Sequence, residues 1–231
     1  QRQMCIRDRH CIARYVDGVL GLLAVKAGEQ VLDVGCGDGC LSARLASQGA
    51  EVVGFDIDPQ RVQAARTRGL EVKQGNAEEL YFHQEFDAVF SHDALHAMHQ
   101  ADEVAIGAFM ALKPGGRFVG EFPGSAHAAL VRQALQGALE RRSIDWSDLE
   151  QWYLPNAHDY QQVLEQAGFH VSHISWFEQP LLLDVPIAEW IKECCGHYLE
   201  ALPPQMHGSF LEEVTEDLAR NLLAVSYTHL R

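Results

Sequence analysis

The sequence is poor in organised cysteine, in positive charge and in long apolar runs. Its six cysteines show no metal-ligand spacing, and Cys194 and Cys195 are adjacent, which disfavours an ordinary bridge between them. A disulfide-dense scaffold and a zinc ribbon are therefore excluded, and a reducing cytoplasmic setting is expected. Lys and Arg number 18 against 32 Asp and Glu, a net charge of -14 at pH 7. Phosphate backbones call for basic clusters, so no nucleic-acid partner is expected, and a small-molecule or protein partner is favoured. No apolar run is long enough for a bilayer, and no basic start leads into an apolar stretch. Neither a membrane partner nor a secretory signal is expected. There is no internal repeat and no low-complexity segment. What is present is a chain of 231 residues, 47% hydrophobic, suited to one sizeable domain or a domain with a small cap.

The informative stretch is Val31-Leu32-Asp33-Val34-Gly35-Cys36-Gly37-Asp38-Gly39. A β-branched run reads as a buried strand, three glycines at alternate positions break it, and Leu41 and Leu45 continue as a helix face. Glycines permit positive φ and leave room for a ligand against the backbone. A helix start adds free N–H groups and the positive end of a dipole. A tight strand-to-helix turn without a ligand would use the same residues. The dinucleotide fingerprint needs a third glycine where this chain has Cys40, so that reading fails and a dehydrogenase is disfavoured.

Downstream, Glu51-Val52-Val53-Gly54-Phe55-Asp56 reads as a second strand ending in an acid. Such an acid is placed to accept both hydroxyls of a ribose. Asp58 and Pro59 suit the N-cap and first position of the next helix. Residues 70–73, 86–91, 117–122 and 168–174 read as four further strands. Helices are expected over about 10–26, 101–112, 126–141 and 159–167. Two more helical patterns between 186 and 223 are broken by Pro203-Pro204. This alternation calls for a mostly parallel, doubly wound Rossmann-like sheet with helices on both faces.

The pattern Asp33-x-Gly35-x-Gly37-x-Gly39 resembles motif I of the class I S-adenosylmethionine-dependent methyltransferases. Asp56 lies where that family keeps its ribose acid, and Leu112-Lys113-Pro114-Gly115-Gly116-Arg117-Phe118 is similar to its fifth-strand motif. Where the family has Asp-Ala near the adenine, this chain has Asn76-Ala77. Where relatives read Ser-Asn-Ala-Ala-Leu-His-Trp, it has Ser91-His92-Asp93-Ala94-Leu95-His96-Ala97. The resemblance implies S-adenosylmethionine as cofactor, with Asp33, Gly35, Cys36, Gly37, Gly39, Asp56, Ile57, Asn76, Ala77 and Ser91 around it. It leaves the catalytic residues open, with His92 and His96 as candidate pocket residues. His92, His96 and His99 have helical metal spacing, but a loop after a strand seldom holds that geometry, and no metal is expected.

The helical stretch after residue 185 resembles the insert of trans-aconitate methyltransferase-like proteins, which caps the substrate pocket. The expected organisation is a cofactor-binding domain over 10–184 and a helical cap over 185–224. The family strand order is 3-2-1-4-5-7-6, with strand seven antiparallel and here missing or replaced. The expected activity is methyl transfer by in-line displacement to a small-molecule acceptor, such as a carboxylic acid held by Arg132, Arg141, Arg142 or Lys192. The alternative is a module that binds the cofactor and transfers nothing. The oligomeric state is left open. Residues 1–9 and 225–231 back-translate to strings that resemble a sequencing-library adapter and its reverse complement. They are expected to be non-native, and the β-prone 225–230 to stand in for strand seven or leave its slot open.

Overall fold

The computed structural model describes residues 9–177 and 185–228. The described chain forms two compact units. Residues 9–125 with 152–176 make the first, and residues 126–151 with 177 and 185–228 make the second.

The first unit is an α/β sheet. Its strands are β1 (Gln30–Val34), β2 (Glu51–Asp56), β3 (Glu71–Gln74), β4 (Phe86–His92) and β5 (Leu112–Glu121), all parallel in the order 3-2-1-4-5. Helices α1 (Arg9–Leu23), α2 (Cys40–Ser47), α3 (Pro59–Thr67), α4 (Ala101–Ala111) and α6 (Ala157–Gln166) belong to it. The central strands β1 and β4 are mostly buried because both faces are covered. Leu32, Val34, Phe86 and Val89 pack with Val104, Ala108 and Ala111 of α4. Val31, Ala88 and Phe90 pack with Val16, Val19, Leu20 and Leu23 of α1 and Leu45 of α2. The register sets Asp33 beside Gly54 on one neighbour and Phe90 on the other. The strand order reverses between β1 and β4, and ligands of open α/β sheets bind at such a point.

The expected doubly wound parallel sheet is thus present, with two corrections. Residues 168–174, expected as a sixth strand, form none. In the expected order strand six touches only strand seven, and no strand seven occurs among the described residues. A strand is defined by its ladder, and without a partner the segment has none. Its side chains still serve the core: the Phe169 ring lies 5.2 Å from Phe109 and 5.7 Å from Phe118. Residues 225–228, expected to be β-prone, continue a helix instead. A smaller difference concerns β5, which begins at Leu112, paired with Phe86, before Lys113–Gly116 bulge out and pairing resumes at Arg117.

The second unit is helical: α5 (Ala129–Glu140), α7 (Ile187–Cys194), α8 (Gly196–Glu200) and α9 (His207–Thr228). Leu135, Leu139, Ile191, Tyr198, Phe210, Val214 and Leu218 are buried in it. The expected cap, 185–224, falls in this unit together with residues 126–151.

Candidate active site

The carboxyl ends of β1, β2 and β4 meet at the switch point, and the glycine loop leaves β1 there. Gly35, Gly37 and Gly39 have φ of +73°, +58° and +78°. The three differ in what surrounds them. A Cβ on Gly35 would overlap Ala94, and one on Gly39 would overlap Leu70 and crowd Ala65. A Cβ on Gly37 would meet nothing within 4 Å. Gly35 and Gly39 are therefore packing glycines, and at Gly37 the backbone is open to another molecule.

The loop is held by the end of β2. The Gly35 and Cys36 N–H groups donate to the Phe55 carbonyl at 2.7 and 3.2 Å. The Gly37 N–H donates to Asp56 Oδ2 at 2.8 Å, and the Asp58 N–H donates to Asp56 Oδ1 at 2.9 Å. Asp56 thus ties the glycine loop to the start of α3 and retains lone pairs on both oxygens. Asp58 caps α3, accepting from the Gln60 N–H at 2.8 Å, and Pro59 takes the first helical position, as the sequence predicts. Ile57, next to Asp56, is 64% exposed.

Asp33 and Ser91 lie beneath this surface. Asp33 is buried and accepts from the Ser42 hydroxyl at 2.5 Å, which anchors α2 to β1. Burial pushes its carboxyl up to about 6; Asp56 adds to the rise, while Ser42 and His92 oppose it. Ser91 is fully buried and donates to the Val34 carbonyl at 2.8 Å, locking β1 to β4. Burial, with Asp33 and Asp56, pushes the Cys36 thiol up to about 12, so Cys36 is a neutral packing group.

Asn76 has a job that its sequence position did not reveal. Its side-chain oxygen accepts from the Glu78 N–H at 3.1 Å and caps the 3₁₀ turn Ala77–Glu79. Ala77 is buried. Glu78, not singled out from the sequence, accepts from the Gln100 N–H at 3.0 Å and from its side chain at 3.1 Å, clipping the turn to the start of α4. The Gln100 N–H leads the effects that hold the Glu78 carboxyl below its ordinary value.

The two candidate histidines have different carboxylate neighbours. His92 Nε2 lies 3.6 Å from Glu121 Oε1, its register partner on β5. His96 sits in the 3₁₀ turn Leu95–Ala97, so the expected run of three histidines is not helical there. Its Nδ1 is buried, makes no hydrogen bond and lies 3.8 Å from Asp93 Oδ1. Burial holds the His96 ring below the usual imidazole range, and Asp93 opposes that shift. Its carbonyl accepts from the Tyr153 N–H at 2.7 Å. Among the described residues no three His, Cys, Asp or Glu side chains are grouped to hold a metal ion.

Residues 25–168 match the family model described as "Methyltransferase domain". The chain belongs to this family. The methyltransferase is 31% identical to "Uncharacterized methyltransferase C70.08c" of Schizosaccharomyces pombe, over 85% of this chain and 80% of that protein. It is 30% identical to the demethylmenaquinone methyltransferase of Tropheryma whipplei strain Twist, over 67% of this chain and 71% of that one. Among solved structures, the S-adenosylmethionine-dependent methyltransferase of Mesorhizobium loti shares the fold at a TM-score of 0.57 and 18% identity, covering 84% of this chain and 93% of that one. The enzyme class expected from the glycine loop holds, and S-adenosylmethionine is the methyl donor that goes with this family.

Of the basic residues expected to hold an acidic substrate, three are already neutralised within the helical unit of this methyltransferase. Arg132 pairs with Glu150 at 2.5 Å, Arg141 with Glu213 and with Asp217 at 2.7 Å, and Arg142 with Glu213 at 2.6 Å. Among the described residues no helix is long and apolar enough to cross a membrane.

Proposed function

We propose that this methyltransferase binds S-adenosylmethionine on the carboxyl edge of its sheet and methylates a small-molecule acceptor by in-line displacement. The observation that carries the reading is Asp56: one carboxylate joins the open glycine loop to the start of α3. When bound, the cofactor supplies a methyl group already activated on a sulfonium. The protein's tasks are then to hold the donor, align the acceptor and keep water out. Asp56 is the ribose acceptor, Gly35, Cys36, Gly37 and Gly39 form the cradle, and Ile57, Asn76 and Ala77 flank the adenine. Asp33 and Ser91 support the loop from below.

In this reading the sheet unit holds the cofactor. The helical segment 185–224 supports a place near the trans-aconitate-like group. A carboxylic acid acceptor would suit that group, but Arg132, Arg141 and Arg142 are engaged with carboxylates of their own. Residues 1–9 and 225–231 we read as adapter-derived, on their back-translation alone.

Asp56→Ala should fold and bind S-adenosylhomocysteine at least tenfold more weakly by calorimetry, since a hydrogen bond to a charged acceptor contributes ~1.5–3 kcal/mol. Unchanged affinity would remove Asp56 from the site. The competing expectation, a module that binds without transfer, is distinguished by turnover: cofactor binding with no product across hydroxyl, amine, carboxyl and carbon acceptors would favour it.

A further inference from the structure

We infer that His96 is the general base of the transfer, oriented by Asp93, and that the acceptor is a hydroxyl compound. The inference rests on the proposed methyl transfer and adds to it the acceptor class and the residue that takes its proton.

The first observation is the His96–Asp93 pair. His96 Nδ1 is buried without a hydrogen bond and has the Asp93 carboxylate 3.8 Å away. Buried polar atoms without a partner are uncommon and call for an explanation. A carboxylate facing one imidazole nitrogen orients the other toward a substrate, and such contacts are often long before substrate binds. Asp93 itself stands at φ +52°, a left-handed conformation that aspartate enters more readily than most side-chain-bearing residues. Its N–H is fastened to the Glu121 carbonyl at 2.8 Å, which holds it in that conformation at the end of β4.

The second observation is what holds the turn that carries His96. The Tyr153 N–H donates to the His96 carbonyl at 2.7 Å, so residues 95–97 are bound to the segment that carries Tyr153 and Tyr160. The Tyr153 and Tyr160 ring centres are 6.4 Å apart, and Phe122 packs edge-on against Tyr160 at 4.7 Å. These rings belong to the apolar core of the sheet unit, and they anchor the turn that carries His96.

The third observation is chemical. A carboxylic acid is already ionised near neutral pH and needs no base, whereas a hydroxyl does. Burial favours the neutral form of His96, the form that accepts a proton, and Asp93 is the charged group that acts on it. The acceptor O–H gives its proton to Nε2 of His96. Its oxygen forms the new C–O bond to the methyl carbon while the carbon–sulfur bond breaks and its electron pair stays on sulfur. The imidazolium then loses its proton to water. The products are a methyl ether, S-adenosylhomocysteine and one proton.

The test uses the full chain with catechol and benzoate as probes. Catechol should be methylated and benzoate should not. His96→Gln should lower kcat on catechol at least 100-fold, with S-adenosylhomocysteine affinity within twofold of wild type. Asp93→Asn should lower the midpoint of the His96 ring titration followed by nitrogen-15 NMR, and move the acidic limb of kcat/KM by the same amount. Methylation of benzoate, absence of catechol turnover, an unchanged kcat in His96→Gln or an unmoved NMR midpoint in Asp93→Asn each overturns the inference. Failure of the wild-type protein to bind S-adenosylhomocysteine would instead overturn the cofactor site.

Discussion

Asp33 carries a cost that its neighbours do not remove. Its carboxyl is raised from the ordinary 3.8 to about 6, chiefly by burial. A carboxyl raised on folding stabilises the folded state while protonated. That contribution is complete below the unfolded value, falls as pH rises and is gone above about 6. The stability of Asp33→Asn relative to wild type should therefore improve by roughly 2 kcal/mol between pH 4 and pH 7.5. Urea unfolding at the two pH values measures this directly. A difference that does not change with pH would mean that Asp33 is charged in the fold at little cost. Asp56 shows the opposite use of an acid, because two backbone N–H groups satisfy it.

At the scale of elements, the glycine loop separates packing from binding. Gly35→Ala and Gly37→Ala both force alanine into a left-handed conformation, at about 1–2 kcal/mol. Gly35→Ala also drives a methyl group into Ala94, whereas the space at Gly37 is open. Gly35→Ala should therefore be the more destabilising in urea, and Gly37→Ala should keep most of its stability while weakening cofactor binding. Equal losses of stability would contradict the division. In the helical unit, Arg132 and Glu150 are paired with side chains only 18% and 17% exposed. Glu150→Ala strands that arginine and should cost about 3 kcal/mol, while Arg132→Met with Glu150→Leu should be near neutral. The segment 168–174 shows the converse: its sequence is strand-like, but an element that needs a partner does not form without one.

At the scale of the whole molecule, each of the two compact units contains buried apolar side chains. Calorimetry should resolve two thermal transitions. S-adenosylhomocysteine should raise the sheet unit's transition most, since a ligand that binds only the folded state stabilises it by mass action, about 2.7 kcal/mol at one hundred times Kd. A single transition that shifts as one would show that the units unfold together. The net charge of -14 belongs to this scale too, and should leave oligonucleotides unbound at physiological salt.

Much of this protein was legible in the chain itself. Periodicity, three alternate glycines and an acid at the end of the second strand carry the parallel sheet and the candidate cofactor edge, because they depend on local spacing. The cap at Asp58 and Pro59 was legible for the same reason. The tertiary structure alone decided what depends on distant neighbours. It separated Gly37 from Gly35 by what a Cβ would strike, and turned Asn76 into a cap for Glu78. It set Asp93 against His96, paired three arginines with acids, and left residues 168–174 without a ladder. A residue's type and spacing determine which interactions it can make; only the fold brings up the partner that determines which one it does make.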